Sequence, residues 1–434
     1  MWLREEIEKV ETWSGPRLSG KVTKLIGLLI ESTGPDVYVG EICHIYGKSP
    51  QPVLCQVVGF KEHKVLLMPL SDTKDITPGS EVFPTDEVHR VAVSPKLQGR
   101  ILDAMGHPID GQEDFVPEAF YPVSATPPAP LSRKPIDTLF PTKIKAIDAL
   151  LTLGQGQRIG IFSAPGVGKS SLIGAIAKQS EADINVIALI GERGREVREF
   201  IERELEPEGL ARSVVVAATS DQPALLRRKG ANVAVAIAEY FRDQGRNVLF
   251  MMDSISRYAM ALREIGLAIG EPPTSRGYPP SVFADLPHIL ERAGNSEKGS
   301  ITGIYTILHE EEELGDPIPE QMRSLLDGHL HLSRSLAAAN HFPPIDILKS
   351  LSRLMRVLVS KEQMNAAGKV RSLLQTYAQA SDLINIGAYV KGSNPKIDEA
   401  LAKIDTIHSF LQQEPGVRVA SQKAVEMLLR LVEV

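Results

Sequence analysis

Lys169 and Ser170 end the stretch Ser163-Ala164-Pro165-Gly166-Val167-Gly168-Lys169-Ser170, which follows the apolar run Arg158-Ile159-Gly160-Ile161-Phe162 and precedes Leu172, Ile173 and Ile176 at helical spacing. A strand, a glycine-bearing loop and a helix in that order make a phosphate-binding loop. Gly166 and Gly168 let the backbone bend until successive N–H groups face phosphate oxygens, and the helix adds the positive end of its dipole. Ala164, Pro165, Gly166, Val167, Gly168, Lys169, Ser170 and Ser171 are the expected nucleotide-binding residues. Lys169 is placed to neutralise the β and γ phosphates, and Ser170 to offer its hydroxyl to Mg²⁺. Ser163 stands where the consensus has glycine; a small polar residue is tolerable there if its φ is negative.

Two carboxylates extend this chemistry. Asp253 ends the apolar run Val248-Leu249-Phe250-Met251-Met252, and a phosphate loop needs such a strand-end carboxylate to anchor its metal. Glu192, in Ile190-Gly191-Glu192-Arg193-Gly194-Arg195-Glu196, lies at the tip of another expected strand, where it can orient and polarise an attacking water. The alternative for Glu192 is a glutamate at a helix start, paired with a neighbouring arginine.

The elements that must position these groups follow from patterning. With 434 residues, 43% apolar and 24% charged, the chain has the balance of an ordinary globular protein of several domains. Its 48 basic and 54 acidic side chains give a net charge of −6 without a basic stretch, which argues against nucleic acid as the main partner. Two cysteines, Cys43 and Cys55, have no metal-ligand spacing and suit a reducing compartment. The first residues have no signal-type apolar core and no run reaches membrane-span length, so a cytoplasmic protein is expected.

Residues 2 to 13 carry Trp2, Leu3, Ile7 and Val10 as an irregular helical stripe, which either docks on a partner or covers the next domain. Short β-rich runs follow: Lys21-Val22, Leu25 to Ile30, Val37 to Ile45, Val53 to Phe60, Lys64 to Met68 and Glu81 to Phe83. Strands of this length and spacing predict a small closed barrel or sandwich. A segment rich in proline, from Pro117 to Pro141, reads as an extended crossover. After Lys143, strands alternate with helices over Glu196 to Leu205 and Ala224 to Asp243, as a mostly parallel sheet requires. From about Lys369 strands disappear, and Val425 to Val434 reads as the last helix. The expected division is 1–18 N-terminal segment, 19–95 barrel, 96–142 connection, 143–368 α/β nucleotide domain and 369–434 helical domain.

Gly191-Glu192-Arg193, Asp253-Ser254-Ile255-Ser256-Arg257-Tyr258, Arg276-Gly277-Tyr278-Pro279-Pro280-Ser281-Val282-Phe283 and Pro344-Ile345-Asp346-Ile347-Leu348-Lys349-Ser350-Leu351-Ser352-Arg353 together resemble the catalytic subunits of rotary ATP synthases. Glu291 to Thr302 and Ser324-Leu325-Leu326-Asp327-Gly328-His329 resemble one branch in particular, the export ATPases of type III secretion. The likeness runs from about Ser19 to the end. It implies a RecA-like P-loop ATPase core between a small N-terminal β-barrel and a C-terminal helical domain, using ATP with Mg²⁺.

The resemblance also implies roles: Glu192 as catalytic carboxylate, Arg353 as an arginine finger reaching the next subunit's γ-phosphate, Arg193 and Arg257 near the phosphates, and Phe342 stacked on adenine. The implied assembly is a homohexamer, since Lys169, Glu192 and Arg353 in one chain can complete every site of a ring. The implied partners are export substrates and their chaperones, stalk and stator or regulator proteins, and a membrane export gate met peripherally at the cytoplasmic face of the inner membrane. Arg257 to Ala261 and Ile386 to Pro395 look more like the flagellar branch than the injectisome branch. Leu262 and the acidic loop His309-Glu310-Glu311-Glu312-Glu313 depart from the pattern, away from the expected chemistry. A rotary synthase subunit would carry an acidic Asp-Glu-Leu-Ser rotor motif, absent here. An RNA translocase is disfavoured by the charge balance, and an inactive scaffold by the presence of Lys169, Glu192 and Arg353.

Overall fold

The computed structural model describes residues 18–309 and 315–433; the stripe over residues 2 to 13 and the acidic run Glu310 to Glu313 lie outside them. Six strands, β1 (Gly20–Ile26), β2 (Leu29–Ser32), β3 (Glu41–Tyr46), β4 (Val53–Lys61), β5 (Lys64–Pro69) and β6 (Glu81–Val88), close into a barrel in the order β1-β2-β5-β4-β3-β6. Period-two alternation does this: Val53, Cys55 and Val57 on β4 point inward with Val22, Ile30, Cys43, Ile45, Leu67 and Val82. Register shifts at Val22/Lys24, Glu41/Cys43 and Val57/Gly59 supply the bends that closure needs. The expected strand Leu25 to Ile30 is instead two strands, because Gly27 takes a left-handed φ of 56° and turns the chain into a hairpin. Cys43 and Cys55 face each other across β3 and β4 as buried free thiols, and burial drives the Cys43 pKa up to about 12 and that of Cys55 higher still.

The larger unit is built on a second sheet. β10 (Arg158–Ser163), β11 (Ile184–Ile190), β12 (Ser213–Ala218), β13 (Asn247–Asp253), β15 (Ser300–Leu308) and β16 (Gly328–His331) run parallel in the order β16-β10-β15-β13-β11-β12. Every residue of β11 is buried, the near-continuous apolar text of a strand covered on both faces. The edge beyond β12 is taken by β8 (Ile101–Leu102) and the edge beyond β16 by antiparallel β17 (Leu351–Ser352); β14 (Gly294–Asn295) pairs with β15, and β7 (Arg90–Val93) with β9 (Ala119–Pro122). Ahead of the expected crossover, Ile101 and Leu102 pair with Val215 and Val216, and within it Ala119–Pro122 pairs with β7, so the segment from Pro117 to Pro141 is not wholly an extended crossover.

The expected helix over Glu196 to Leu205 is Gly194–Glu199 continued by a wider π turn, Phe200–Leu205, and then a short helix Glu206–Ala211. Pro207 has no N–H for a continuous ladder, so the chain restarts there. The helical region begins before 369, since helix Lys361–Asn385 spans that boundary; Ser360 caps it by accepting from the Gln363 N–H. Helices Pro395–Leu411 and Ser421–Glu433 complete the region. Buried Asp148, on helix Lys145–Leu150, joins it to the sheet domain: its carboxylate accepts from the N–H and hydroxyl of Thr142, the Lys143 N–H and the Ser421 hydroxyl. Gln363 Nε2 donates to the carbonyls of Asp148 and Ala149. Among the described residues, no helix is long and apolar enough to cross a membrane.

Candidate active site

The phosphate loop leaves β10 at Ser163 and feeds helix Lys169–Gln179, with Gly166 and Gly168 at φ of 76° and 98°. Ser163 is outside the left-handed region, so serine fits in place of the consensus glycine. Ala164 and Val167 are buried beneath the loop while Pro165 and Gly166 are exposed. Ser170 is half-buried in the first turn of the helix. Ser171 is exposed and its hydroxyl donates to Glu204 Oε1 at 3.0 Å.

Parallel register brings the two carboxylates to this loop. Asp253 at the end of β13 lies opposite Leu189, three residues before Glu192. Lys169 Nζ is ion-paired with Asp253 Oδ1 and lies 3.6 Å from Glu192 Oε1. Burial alone would depress the ammonium pKa, but the charges of Asp253 and Glu192 outweigh it and hold Lys169 above its ordinary value. The pKa of Glu192 is raised as well, which for a carboxyl group favours the neutral form. Burial, with the nearby Asp253 charge and a hydrogen bond to Glu196, pushes its pKa up to about 7 against the pull of Lys169 and Arg257. A carboxylate poised there can take or hold a proton at neutral pH.

The arginines divide. Arg257 stands beside Glu192, its stem packed so closely on Gly191 that a Cβ there would lie 2.7 Å from Arg257 Cβ, and its N–H donates to Ser254 Oγ at 3.2 Å. Arg193 is exposed and turned outward, 3.7 Å from Glu196. Arg353 follows edge strand β17; its N–H donates to the Asp327 carbonyl, its Nη2 donates to the Arg323 carbonyl at 2.9 Å, and its side chain faces solvent. Within one subunit, Lys169, Glu192, Asp253 and Arg257 therefore gather, whereas Arg193 and Arg353 stand apart from them.

Phe342, 38% exposed, lines a cleft with Gly168, Ser171 and Leu172 on one side and the loop Gln413 to Val417 on the other. An exposed ring over an apolar cleft beside the phosphate loop can stack on a planar base. The 413–417 loop was not a candidate from sequence. Its only signal is the turn pair Pro415-Gly416, which says nothing about what the loop faces. Gln413 fixes it: its N–H donates to the Phe342 carbonyl at 2.8 Å, its Oε1 accepts from the Lys145 N–H, and its Nε2 donates to the carbonyls of Lys143 and Val417. Thr306 was also missed. Its hydroxyl donates to Asp253 Oδ1 at 2.7 Å, a role hidden inside β15, which is buried as far as Ile307.

Comparison with known proteins agrees with this geometry. Residues 143–352 match the ATP synthase alpha/beta family nucleotide-binding domain, residues 22–86 its beta-barrel domain, and residues 359–430 the T3SS EscN ATPase C-terminal domain. The flagellum-specific ATP synthase of Bacillus subtilis (strain 168) is 52% identical over 97% of this chain and 98% of its own length. The type 3 secretion system ATPase of Xanthomonas euvesicatoria is 47% identical, covering 96% of this chain and 95% of its own. The assembled ATPase EscN from the enteropathogenic E. coli type III secretion system superposes with a TM-score of 0.90 at 44% identity, over 95% of this chain and 100% of EscN. EscN in complex with its central stalk EscO superposes at 0.88. With a six-stranded barrel, a nucleotide-binding sheet domain and a helical C-terminal domain in that order, this chain belongs to the ATP synthase alpha/beta family, as an ATPase of its type III export branch.

Proposed function

We propose that this chain is the flagellar export ATPase of its cell, a homohexamer at the cytoplasmic face of the inner membrane that couples ATP binding and hydrolysis to chaperone release and entry of export substrates. The observation that carries the shared-site part is the split between a gathered Lys169, Glu192 and Asp253 and an Arg353 of the same chain on an exposed sheet edge. In a ring of identical subunits, that edge can offer Arg353 to the next subunit's phosphate loop. Solved EscN is described as assembled and with its stalk EscO, which supports a ring and a stalk partner here. Stator or regulator proteins and a peripheral contact with the export gate belong to the same reading.

Within the site, Lys169 exchanges its carboxylate partners for phosphate oxygens when nucleotide enters, and Arg257 supplies further positive charge near them; Arg193, expected there from the resemblance, points outward and is left out of this subunit's site. Phe342 takes the adenine ring, and backbone N–H groups from Ala164 to Ser171 hold the phosphates. Ser170 Oγ and Asp253 would hold Mg²⁺, which when bound neutralises charge on the phosphate oxygens. The donor set fits, being all oxygen, with Lys169 and Thr306 both on Asp253 Oδ1 and Oδ2 left for the metal. Glu192 orients the attacking water and accepts its proton. Arg353 from the neighbour stabilises charge on the transferred phosphoryl group.

Arg257 to Ala261 and Ile386 to Pro395 support the flagellar reading over an injectisome. Affinity capture of the tagged full chain from its native cells tests it. Flagellar export components are expected among the partners. Injectisome components would move the chain to the other branch, and synthase subunits would overturn the export role.

A further inference from the structure

Arg323 is half-buried in the last turn of helix Pro317–Leu325. Its guanidinium lies over the Phe162 ring, 4.8 Å from the centroid, with Nη2 at 3.2 Å from His309 Nε2. Those two residues bracket the first residue of the phosphate loop: Phe162 precedes Ser163 in β10, and the His309 N–H donates to the Ser163 carbonyl at 3.0 Å. The main chain of Arg323 does something different, accepting Nη2 of Arg353. Four residues on, the Asp327 carbonyl accepts the Arg353 N–H at 3.0 Å, while the Asp327 carboxylate accepts from the N–H and Nε of Arg158 at the start of β10. The segment holding Arg353 is therefore fastened to both ends of the strand that leads into the subunit's own phosphate loop. Burial, with the charges of Arg323 and Arg353, keeps His329 below its ordinary pKa, so both guanidinium groups act on one small region.

We infer that Arg323 is a positioning residue that couples nucleotide occupancy of a subunit's own phosphate loop to the placement of the Arg353 it presents to its neighbour. A cation over an aromatic ring with one charge-assisted hydrogen bond is directional, so a shift of Phe162 and His309 as the loop closes on phosphate moves the end of the 317–325 helix. Arg353 moves with it through the carbonyl. The consequence for rings rests on the shared-site reading above; the coupling inside one subunit does not.

Hydrogen exchange on the full chain, diluted below assembly, separates the two. Adding a non-hydrolysable ATP analogue with Mg²⁺ should change protection over residues 351–355 several-fold in the wild type, and that response should vanish in Arg323→Ala while analogue affinity stays within about twofold. Arg323→Lys, which keeps the charge but not the planar stack, should respond partially and serves if Arg323→Ala does not fold. A full response in a folded, nucleotide-binding Arg323→Ala or Arg323→Lys overturns the inference, as does the absence of any response in the wild type. In assembled rings, Arg323→Ala should lower kcat about tenfold and bring the Hill coefficient toward one, with KM within about twofold. Loss of the exchange response with unchanged kcat and Hill coefficient would leave the coupling standing and refute the shared site.

Discussion

The strand ends around Lys169 and the sheet edge around Arg353 carry charges of similar importance in opposite circumstances. Lys169 is enclosed, with the carboxylates of Asp253 at the end of β13 and Glu192 just beyond β11 as partners. Arg353 stands in solvent and, among the described residues, its side chain and main-chain N–H bond only to backbone carbonyls. A buried cation must be paired in its own chain or the fold is destabilised by an uncompensated charge, whereas a guanidinium at an edge can wait for a partner. On the shared-site reading proposed above, the difference would let one subunit bind nucleotide by itself while the set of groups for hydrolysis is completed by a neighbour.

The sharpest way to break this contrast is Arg353→Ala in assembled rings. Loss of a finger supplied by a neighbour should reduce turnover by ~10³ to 10⁵ while nucleotide binding persists. Loss of binding with turnover per bound nucleotide unchanged would mean that Arg353 belongs with Lys169 after all. Glu192 probes the enclosed side. Glu192→Gln should cost about 10² or more in phosphate release, and turnover within about twofold of wild type would show the assigned base to be wrong.

The pH profile gives the same carboxylate a sign. With its pKa near 7, kcat/KM of the wild type should rise about tenfold per unit up to pH 7 and then level. Flat kcat/KM between about pH 5.5 and 7.5 would remove Glu192 from the role. For stability the sign reverses. Between the ordinary value of 4.5 and about 7 the folded chain keeps a proton that the unfolded chain has lost, so the contribution is present at the acid end and fades as pH rises. The smallest effect belongs to the cleft. Phe342→Ala should raise KM for ATP roughly tenfold through lost base stacking, with kcat little changed; an unaltered KM would place adenine elsewhere.

How far the site was legible depended on whether its parts are contiguous. Ser163 to Ser170 and the strand ending at Asp253 could be read because local chemistry sets them: glycines where the chain must turn, a carboxylate where an apolar run stops. Glu192 was readable by position, but its raised pKa was not, since Asp253 and Glu196 approach it through folding. Phe342 was identifiable while its cover, Gln413 to Val417, was not, because only tertiary packing brings them together. Arg323 left no signal, and His309 was read only as part of an acidic loop away from the chemistry, whereas its N–H donates to the Ser163 carbonyl, because both contacts arise through folding across Phe162. Among the elements, the hairpin at Gly27 shows turn chemistry overriding an apolar pattern that would have run on, and Ser360 shows a cap that starts a helix ahead of its apolar stripe.

The pairing of β8 with β12 bears on how this chain can be cut. Ile101 and Leu102 precede the nucleotide-binding segment by some forty residues, yet they cover one margin of its sheet. A fragment beginning at Lys143 would leave β12 with open N–H and C=O groups, an invitation to intermolecular strand addition. One ending at 368 would cut helix Lys361–Asn385 and remove Ser421, a donor to buried Asp148. The segment that looks separable in the linear text is therefore not an autonomous folding unit, and excising it would yield an aggregation-prone piece rather than a minimal enzyme.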